Sequence, residues 1–312
     1  MRFLLIFLLM GSVFGASKKK YPEAVKEIKF KGADGSDQPA LYMPSASKEK
    51  APLLVALHQW SGNYKTSGYL ESVNWCLEKK WHFIQPNFRG PNNTPEAMGS
   101  DLVVGDILKA VEYAKANGNV DEKRIYLLGA SGGGHCTLLM SGRHPDIWAG
   151  ATSWVPIFDI KQWYEDGLKR KNRYPKMISA ALGGNPLEDE KLAKDALYRS
   201  PKNWLKPGIF PLDINVGIYD GHTGSVPVGH SIRAFNQVAA EKDRISEDDI
   251  AYIEKHKKIP DHLEKTEKDD TYGSKDVLFR RQSGNARLTI FKGGHEIVQN
   301  AALRWLEKQK RD

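Results

Sequence analysis

A strand-like apolar run, Arg124-Ile125-Tyr126-Leu127-Leu128, ends directly on Gly129-Ala130-Ser131-Gly132-Gly133, and a helix-like run follows to about Arg143. A G-x-S-x-G turn between strand and helix admits few backbones. Its central residue is held in a strained conformation, so the residues two before and two after it must be small. Gly129 and Gly133 meet that demand. The helix that follows offers free N–H groups and a positive dipole end. Ser131 is therefore a candidate nucleophile, and the Gly132 N–H a candidate donor to a developing oxyanion.

The rest of the chain repeats the same strand–helix rhythm. Ala24–Phe30 and Gln38–Met43 read as strands joined by Gly32-Ala33-Asp34-Gly35. Leu53–Leu57 is apolar throughout, as expected of a strand buried on both faces. Further strands are expected at His82–Pro86, Ala149–Val155, Leu212–Tyr219 and Arg287–Phe291. Helices are expected near Tyr69–Lys80, Asp101–Asn117, Val226–Lys242 and Val298–Lys308. Such alternation implies an α/β fold, a parallel sheet covered by helices on both faces. Two segments interrupt it: an aromatic-rich insertion at about 158–207, after the Ala149–Val155 strand, and a highly charged one at about 242–275. The second should hold a helix capped by Ser246, and beyond it a strand at Val277–Gln282 should pair with Arg287–Phe291 across Ser283-Gly284-Asn285. With no internal repeat or linker, residues 16–312 read as a single domain.

The first 15 residues, one Arg and then an apolar run closing on small residues, read as a signal peptide cleaved after Gly15. The run is too short to span a bilayer, and no other is long enough. The mature protein is thus expected to be secreted or periplasmic. Cys76 and Cys136, the only cysteines, exclude a disulfide framework and leave room for one bridge. The net charge of +8 is spread along the chain. A nucleic-acid surface would concentrate it among aromatics, so nucleic acid is not an expected partner. A basic surface does suit an anionic polysaccharide.

A nucleophile needs a base, and the base an orienting acid. His295 follows Leu288–Gly294, directly after the last strand. It is followed by Glu296, but a zinc helix motif would need His at 299, where Gln299 stands. Asp220 ends the preceding Leu212–Tyr219 strand, whereas Asp213 lies at that strand's far end. The order Ser131, Asp220, His295 fits a Ser–Asp–His triad. The loop after Leu57, His58-Gln59-Trp60-Ser61-Gly62, should supply the second oxyanion donor from Trp60 or Gln59. His58, Trp154, Trp163 and His222 are expected to line the substrate pocket. There is no metal-ligand cluster and no phosphate loop, so no metal and no cofactor is expected.

His58-Gln59-Trp60, Pro86-Asn87-Phe88-Arg89-Gly90, Gly129–Gly133, Trp154-Val155-Pro156, Asp220–Pro227 and Gly293-Gly294-His295 together resemble the α/β-hydrolase superfamily. The likeness is closest to secreted bacterial proteins related to the catalytic domain of the prolyl oligopeptidase family. It implies Ser131, Asp220 and His295 as nucleophile, acid and base, and a mostly parallel eight-stranded sheet that would separate Cys76 from Cys136 and leave both as buried free thiols. Gln59 stands where that family has Gly, and the stretch before Leu53 is too short for its β-propeller.

The reading that follows is a secreted serine carboxylesterase acting on a small-molecule or carbohydrate ester, such as acetyl or feruloyl groups. The alternative is a serine exopeptidase of the prolyl oligopeptidase type, which commonly needs an acidic pair to hold a substrate amine. No Glu-Glu pair precedes the site. A binding protein on this scaffold would be expected to lack a triad member, and none is missing.

Overall fold

The structure is a computed structural model and describes residues 21–208, 210–263 and 268–312. The expected signal peptide and the Lys18-Lys19-Lys20 run lie outside the described residues. Nine strands form one sheet: β1 (Lys26–Lys31), β2 (Asp37–Met43), β3 (Ala51–Leu57), β4 (His82–Pro86), β5 (Val120–Ala130), β6 (Gly150–Trp154), β7 (Leu212–Gly217), β8 (Val277–Ser283) and β9 (Ala286–Phe291). Their order is β1-β2-β4-β3-β5-β6-β7-β9-β8. The run from β4 to β9 is parallel, while β1, β2 and β8 join antiparallel at the edges.

The sheet thus has nine strands rather than eight, with hairpin-like partners closing both edges. β5 begins at Val120, earlier than its apolar run, because Val120 pairs with Ala51 before the register shifts. Its first residues, Asp121-Glu122-Lys123, are largely exposed, so hydrophobic pattern gives no sign of them. β3 is buried at every residue, as a strand in mid-sheet must be.

Helices α1 (Leu70–Lys79), α2 (Asp101–Asn117), α3 (Gly132–Arg143), α7 (Val228–Val238) and α9 (Gln299–Leu306) pack on the sheet. The aromatic-rich insertion folds as α4 (Ile160–Lys169), α5 (Tyr174–Leu182) and α6 (Glu190–Tyr198). These have their own apolar cluster, which includes Ile160, Trp163, Ile178 and Ala196. Other members come from outside it, among them Trp60 from the loop after β3, Met98 from the loop after β4 and Val226 from the loop after β7. The insertion is therefore seated on the loops that end the parallel strands. In the charged segment, α8 (Glu247–His256) starts where Ser246 Oγ accepts the Asp249 N–H. No helix among the described residues is long and apolar enough to cross a membrane.

A polar network lies inside the sheet. Asp213 is fully buried and accepts from Arg287 Nε at 2.6 Å, Asn215 Nδ2 at 2.7 Å and Thr152 Oγ1 at 3.2 Å. Asn215 Oδ1 in turn accepts the Tyr272 hydroxyl at 2.5 Å. Removing Arg287 would leave a buried carboxylate without its cation. Arg287→Ala is expected to lower unfolding free energy by about 3–5 kcal/mol, read from the midpoint of a urea denaturation curve. A shift equivalent to under ~1 kcal/mol would show that the pair is hydrated and structurally minor.

Candidate active site

Six parallel strands end at one edge of the sheet, and the loops there carry the site. The chain leaves β3 toward β4 on one side and passes through α2 to β5 on the other. Loops at such a switch point diverge and open a crevice. Here they are the His58–Gly62 loop and the Ser131 turn.

Ser131 has φ 59° and ψ −118°, the strained geometry that the glycine pattern requires. Its N–H donates to the Trp154 carbonyl at 2.9 Å, and its own carbonyl accepts the His135 N–H at 2.8 Å. A Cβ on Gly133 would collide with the Leu57 carbonyl, and one on Gly132 with the Trp60 backbone nitrogen. Gly132 is thus required sterically as well as placed for donation: only a bare Cα lets the two loops meet.

The pairing of β7 with β9 extends past the strands, with Tyr219 N–H donating to the Gly293 carbonyl at 2.9 Å. That brings the Asp220 turn beside His295. His295 Nδ1 donates to Asp220 Oδ2 at 2.7 Å, and His295 Nε2 faces Ser131 Oγ at 2.8 Å. Asp220 is 1% exposed, and its Oδ1 accepts from the N–H groups of Gly221 at 2.8 Å and Val226 at 3.3 Å. Because the carboxylate only accepts, Nδ1 carries the ring proton and Nε2 is left to accept from Ser131. Ser131 is 8% exposed, so its hydroxyl lies at the floor of the crevice. Glu296 accepts from the Gly294 N–H and pairs with Lys275, which are structural contacts.

The Trp60 N–H faces Gly132, and two neighbours hold it there. The Gln59 carbonyl accepts the Gly62 N–H at 2.9 Å, and in a trans peptide the next N–H points the opposite way. The Trp60 carbonyl accepts from both Asn92 N–H and Asn92 Nδ2, at 2.9 and 3.2 Å. The nitrogen against Gly132 is that of Trp60, not Gln59, and the Gln59 side chain is exposed. The Trp60 nitrogen therefore lies directly against Gly132, the residue that follows Ser131.

Three of the residues expected to line the pocket present no surface to it. His58 is fully buried, stacked on Phe88 at 3.9 Å, with its nitrogens facing the carbonyls of Gln59 and Asn87. Burial lowers its pKa against the pull of the two carbonyls, and the ring works as a loop clamp. The clamped loop is fixed further by Arg89, which donates to Asp106 at 2.6 Å and to Asp34 at 2.9 Å. Trp154 is fully buried against Tyr272 and Phe291, because a side chain in the sixth of nine strands points into the core. Trp163 is fully buried, edge-on to Trp60 at 4.6 Å, and its Nε1 donates to the Ser225 carbonyl. It supports the oxyanion loop from behind.

His222 does reach the mouth, tied by Nε2 to the Glu254 carbonyl at 2.6 Å. It lines a cavity of about 600 Å³ with His295, Thr223, Ser225, Arg170, Asn172 and Tyr174. A larger hollow, about 790 Å³ among Trp148, Trp204 and Pro211, lies near the starts of β6 and β7, away from the triad. Arg170, Asn172 and Tyr174 carry no sequence signal of their position. Only the seating of α4 and α5 shows which of the insertion's aromatics meets the site.

His135 donates from Nε2 to the Arg199 carbonyl at 2.9 Å and packs edge-on to Trp60. Burial lowers its pKa to about 4, so it stays neutral and ties α3 to the insertion. Cys76 and Cys136 are both free and buried. Burial pushes the Cys136 thiol up to about 12 and that of Cys76 upward too. The native protein should therefore not react with a thiol reagent at neutral pH, and both thiols should react after denaturation. Fast labelling of native protein would contradict this. Among the described residues, no group of three or more His, Cys, Asp or Glu is placed to hold a metal ion.

A model of the prolyl oligopeptidase family matches residues 95–191. The chain is 31% identical over 129 residues to poly(3-hydroxyalkanoate) depolymerase C of Paucimonas lemoignei, covering 38% of this chain and 30% of that protein. It is 23% identical over 197 residues to feruloyl esterase B of Neurospora crassa, covering 60% of this chain and 59% of that one. The chain thus spans under two thirds of either relative. Among solved structures, a puromycin-hydrolyzing peptidase of Mycobacterium tuberculosis superposes with TM-score 0.60 at 20% identity, over 91% of this chain and 38% of that one. Fold and family match agree: this is an α/β-hydrolase-fold chain whose residues 95–191, Ser131 among them, match the prolyl oligopeptidase family.

Proposed function

We propose that this chain is a serine hydrolase that cleaves carboxylic esters through an acyl-enzyme, with acetyl or feruloyl esters on carbohydrate as its substrates. The hydrogen-bonded chain from Asp220 through His295 to Ser131 carries the proposal. Ser131 Oγ attacks the ester carbonyl carbon while His295 Nε2 takes its proton. The carbonyl oxygen, now an oxyanion, is held by the N–H groups of Gly132 and Trp60. Asp220 stabilises the imidazolium, which gives its proton to the departing alcohol. Water, activated by the same imidazole, then releases the acid and restores Ser131.

The preference for esters rests on two supports. One relative, matched over 59% of its own length, is a feruloyl esterase, and another is a poly(3-hydroxyalkanoate) depolymerase. Among the described residues, none that lines the cavity beside His295 carries a carboxylate to receive a substrate amine. Tyr174, tilted against Trp163 with ring centroids 4.5 Å apart, offers a ring for a phenolic or sugar ring to pack on. A second reading, a serine exopeptidase, is favoured by the match to the prolyl oligopeptidase family.

The test is a substrate panel run with Ser131→Ala beside the wild type. It holds nitrophenyl esters of graded acyl length, methyl ferulate, acetylated xylan and aminoacyl nitroanilides. Ser131-dependent ester cleavage, faster than that of any anilide, is the expected result. Faster anilide cleavage would establish the exopeptidase instead, and equal rates for mutant and wild type would end the hydrolase reading.

A further inference from the structure

The mouth of the site has a marked charge asymmetry. The turn between α4 and α5 reads Lys169-Arg170-Lys171-Asn172-Arg173-Tyr174-Pro175-Lys176. Of its cations, Arg170 lines the His295 cavity, and no carboxylate shares that wall. The Arg170 side chain is exposed and makes no hydrogen bond or ion pair with any of the described residues. Asp166, whose carboxyl feels the Arg170 charge, makes its hydrogen bonds elsewhere, to His230 at 3.3 Å and Gln162 at 3.2 Å. The guanidinium lies against the Asp220 turn: a Cβ built on Gly221 would sit 3.1 and 3.2 Å from its Nη2 and Nη1. The triad acid itself is 1% exposed and spent on His295 and two backbone donors.

The turn that carries Arg170 is built to hold its place. Arg170 N–H donates to the Asp166 carbonyl, Lys171 N–H to Leu168 and Asn172 N–H to Gly167. Asn172 Oδ1 accepts the Tyr174 N–H at 3.0 Å, and Arg173 reaches Ser61 Oγ at 3.1 Å, tying the turn to the oxyanion loop. An unpaired guanidinium on a fixed turn is preorganised for a carboxylate, which it grips through two parallel N–H donors.

The half of the ester it would meet follows from the chemistry. The oxyanion lies toward Trp60 and Gly132. The leaving oxygen must lie within reach of His295 Nε2, which protonates it, so the alcohol departs on the His295 side. Arg170 and His295 line the same cavity.

We propose that Arg170 is a specificity-determining residue that binds a carboxylate on the alcohol half of the scissile ester. The proposal rests on the ester-hydrolase reading above. It names the substrate class as acyl esters of hydroxy acids, free or as uronic acid units of a carbohydrate. Hydrolysis breaks the acyl C–O bond, adds water across it, and leaves the hydroxy acid's carboxylate unchanged.

The test compares 3-acetoxybenzoate with 3-acetoxybenzamide, a pair matched in size that differs in one charge. Wild type should prefer the benzoate in kcat/KM, and raising the salt should erode that preference. In Arg170→Gln the benzoate-to-benzamide ratio should fall roughly tenfold, chiefly through the benzoate KM, and Arg170→Lys should restore part of it. An unchanged ratio overturns the proposal. A second arm does not depend on turnover: binding of 3-hydroxybenzoate to the Ser131→Ala protein, by equilibrium dialysis. Arg170→Gln should weaken it roughly tenfold relative to 3-hydroxybenzamide. If acetate release is the same in wild type and Ser131→Ala, the hydrolase reading fails, and the dialysis arm still decides for or against Arg170. A selective loss on monophenyl glutarate, with its carboxylate on the acyl half, would overturn the assignment to the alcohol.

Discussion

Ser131→Ala should lower kcat/KM on the best ester by about 10⁵-fold or more, since nucleophile and base act as one unit. The loss should fall on kcat, with KM nearly unchanged, because Ser131 bonds the acyl carbon only as reaction proceeds. The folded state should survive. Ser131 Oγ has one partner, His295 Nε2, and the strained turn is held by backbone contacts to Trp154 and His135 that alanine keeps. A residual rate of about 10³–10⁴ over the uncatalysed reaction should remain from the Gly132 and Trp60 donors. Steady-state kinetics beside a thermal melt checks both points. A mutant with the wild-type melt and more than about a tenth of wild-type kcat/KM would remove Ser131 from the chemistry.

Asp220→Asn should cost about 10⁴-fold in kcat, by way of a proton rather than a lost charge alone. The Asp220 carboxylate is oriented by two backbone donors, Gly221 N–H and Val226 N–H, both on Oδ1. An asparagine must keep its carbonyl oxygen toward those donors, so its NH₂ faces His295 Nδ1. The ring then accepts at Nδ1 and carries its proton on Nε2. A protonated Nε2 cannot accept the Ser131 hydroxyl, and the base is disabled although every atom is nearly in place. The rate should partly recover at high pH, where hydroxide replaces the missing base. NMR of the imidazole N–H should find its proton on Nε2 in the mutant. Activity within about tenfold of wild type would mean that Asp220 holds geometry alone.

Much of the architecture follows from local chemistry. The all-apolar β3, the helix start at Ser100-Asp101 and the Ser246 cap are statements about a few adjacent residues, and they appear where the pattern puts them. Ser131, Asp220 and His295 stand at ends of β-strands that share one direction, which chain order alone reveals. What the pattern missed has a common cause. The polar start of β5 is held in the sheet by backbone pairing with Ala51, to which side-chain periodicity is blind. The three α-helices of the insertion bury apolar side chains against Trp60, Met98 and Val226, partners far away in the chain.

The division is sharpest at the site. By itself the sequence determined that a serine sits on a strained strand-to-helix turn, and which acid and histidine close the following strands. Each is a matter of a few neighbouring residues and the strand direction they share. Only the tertiary structure decided that Trp60 rather than Gln59 faces Gly132, because peptide orientation there is set by Gly62 and Asn92. It alone moved His58, Trp154 and Trp163 from the pocket wall into the interior and brought Arg170 and Tyr174 to the mouth in their place. An aromatic or a cation looks the same in sequence whether it faces core or crevice. Which it faces depends on how α4 and α5 seat on the strand-end loops, and that is settled by packing between residues distant in the chain.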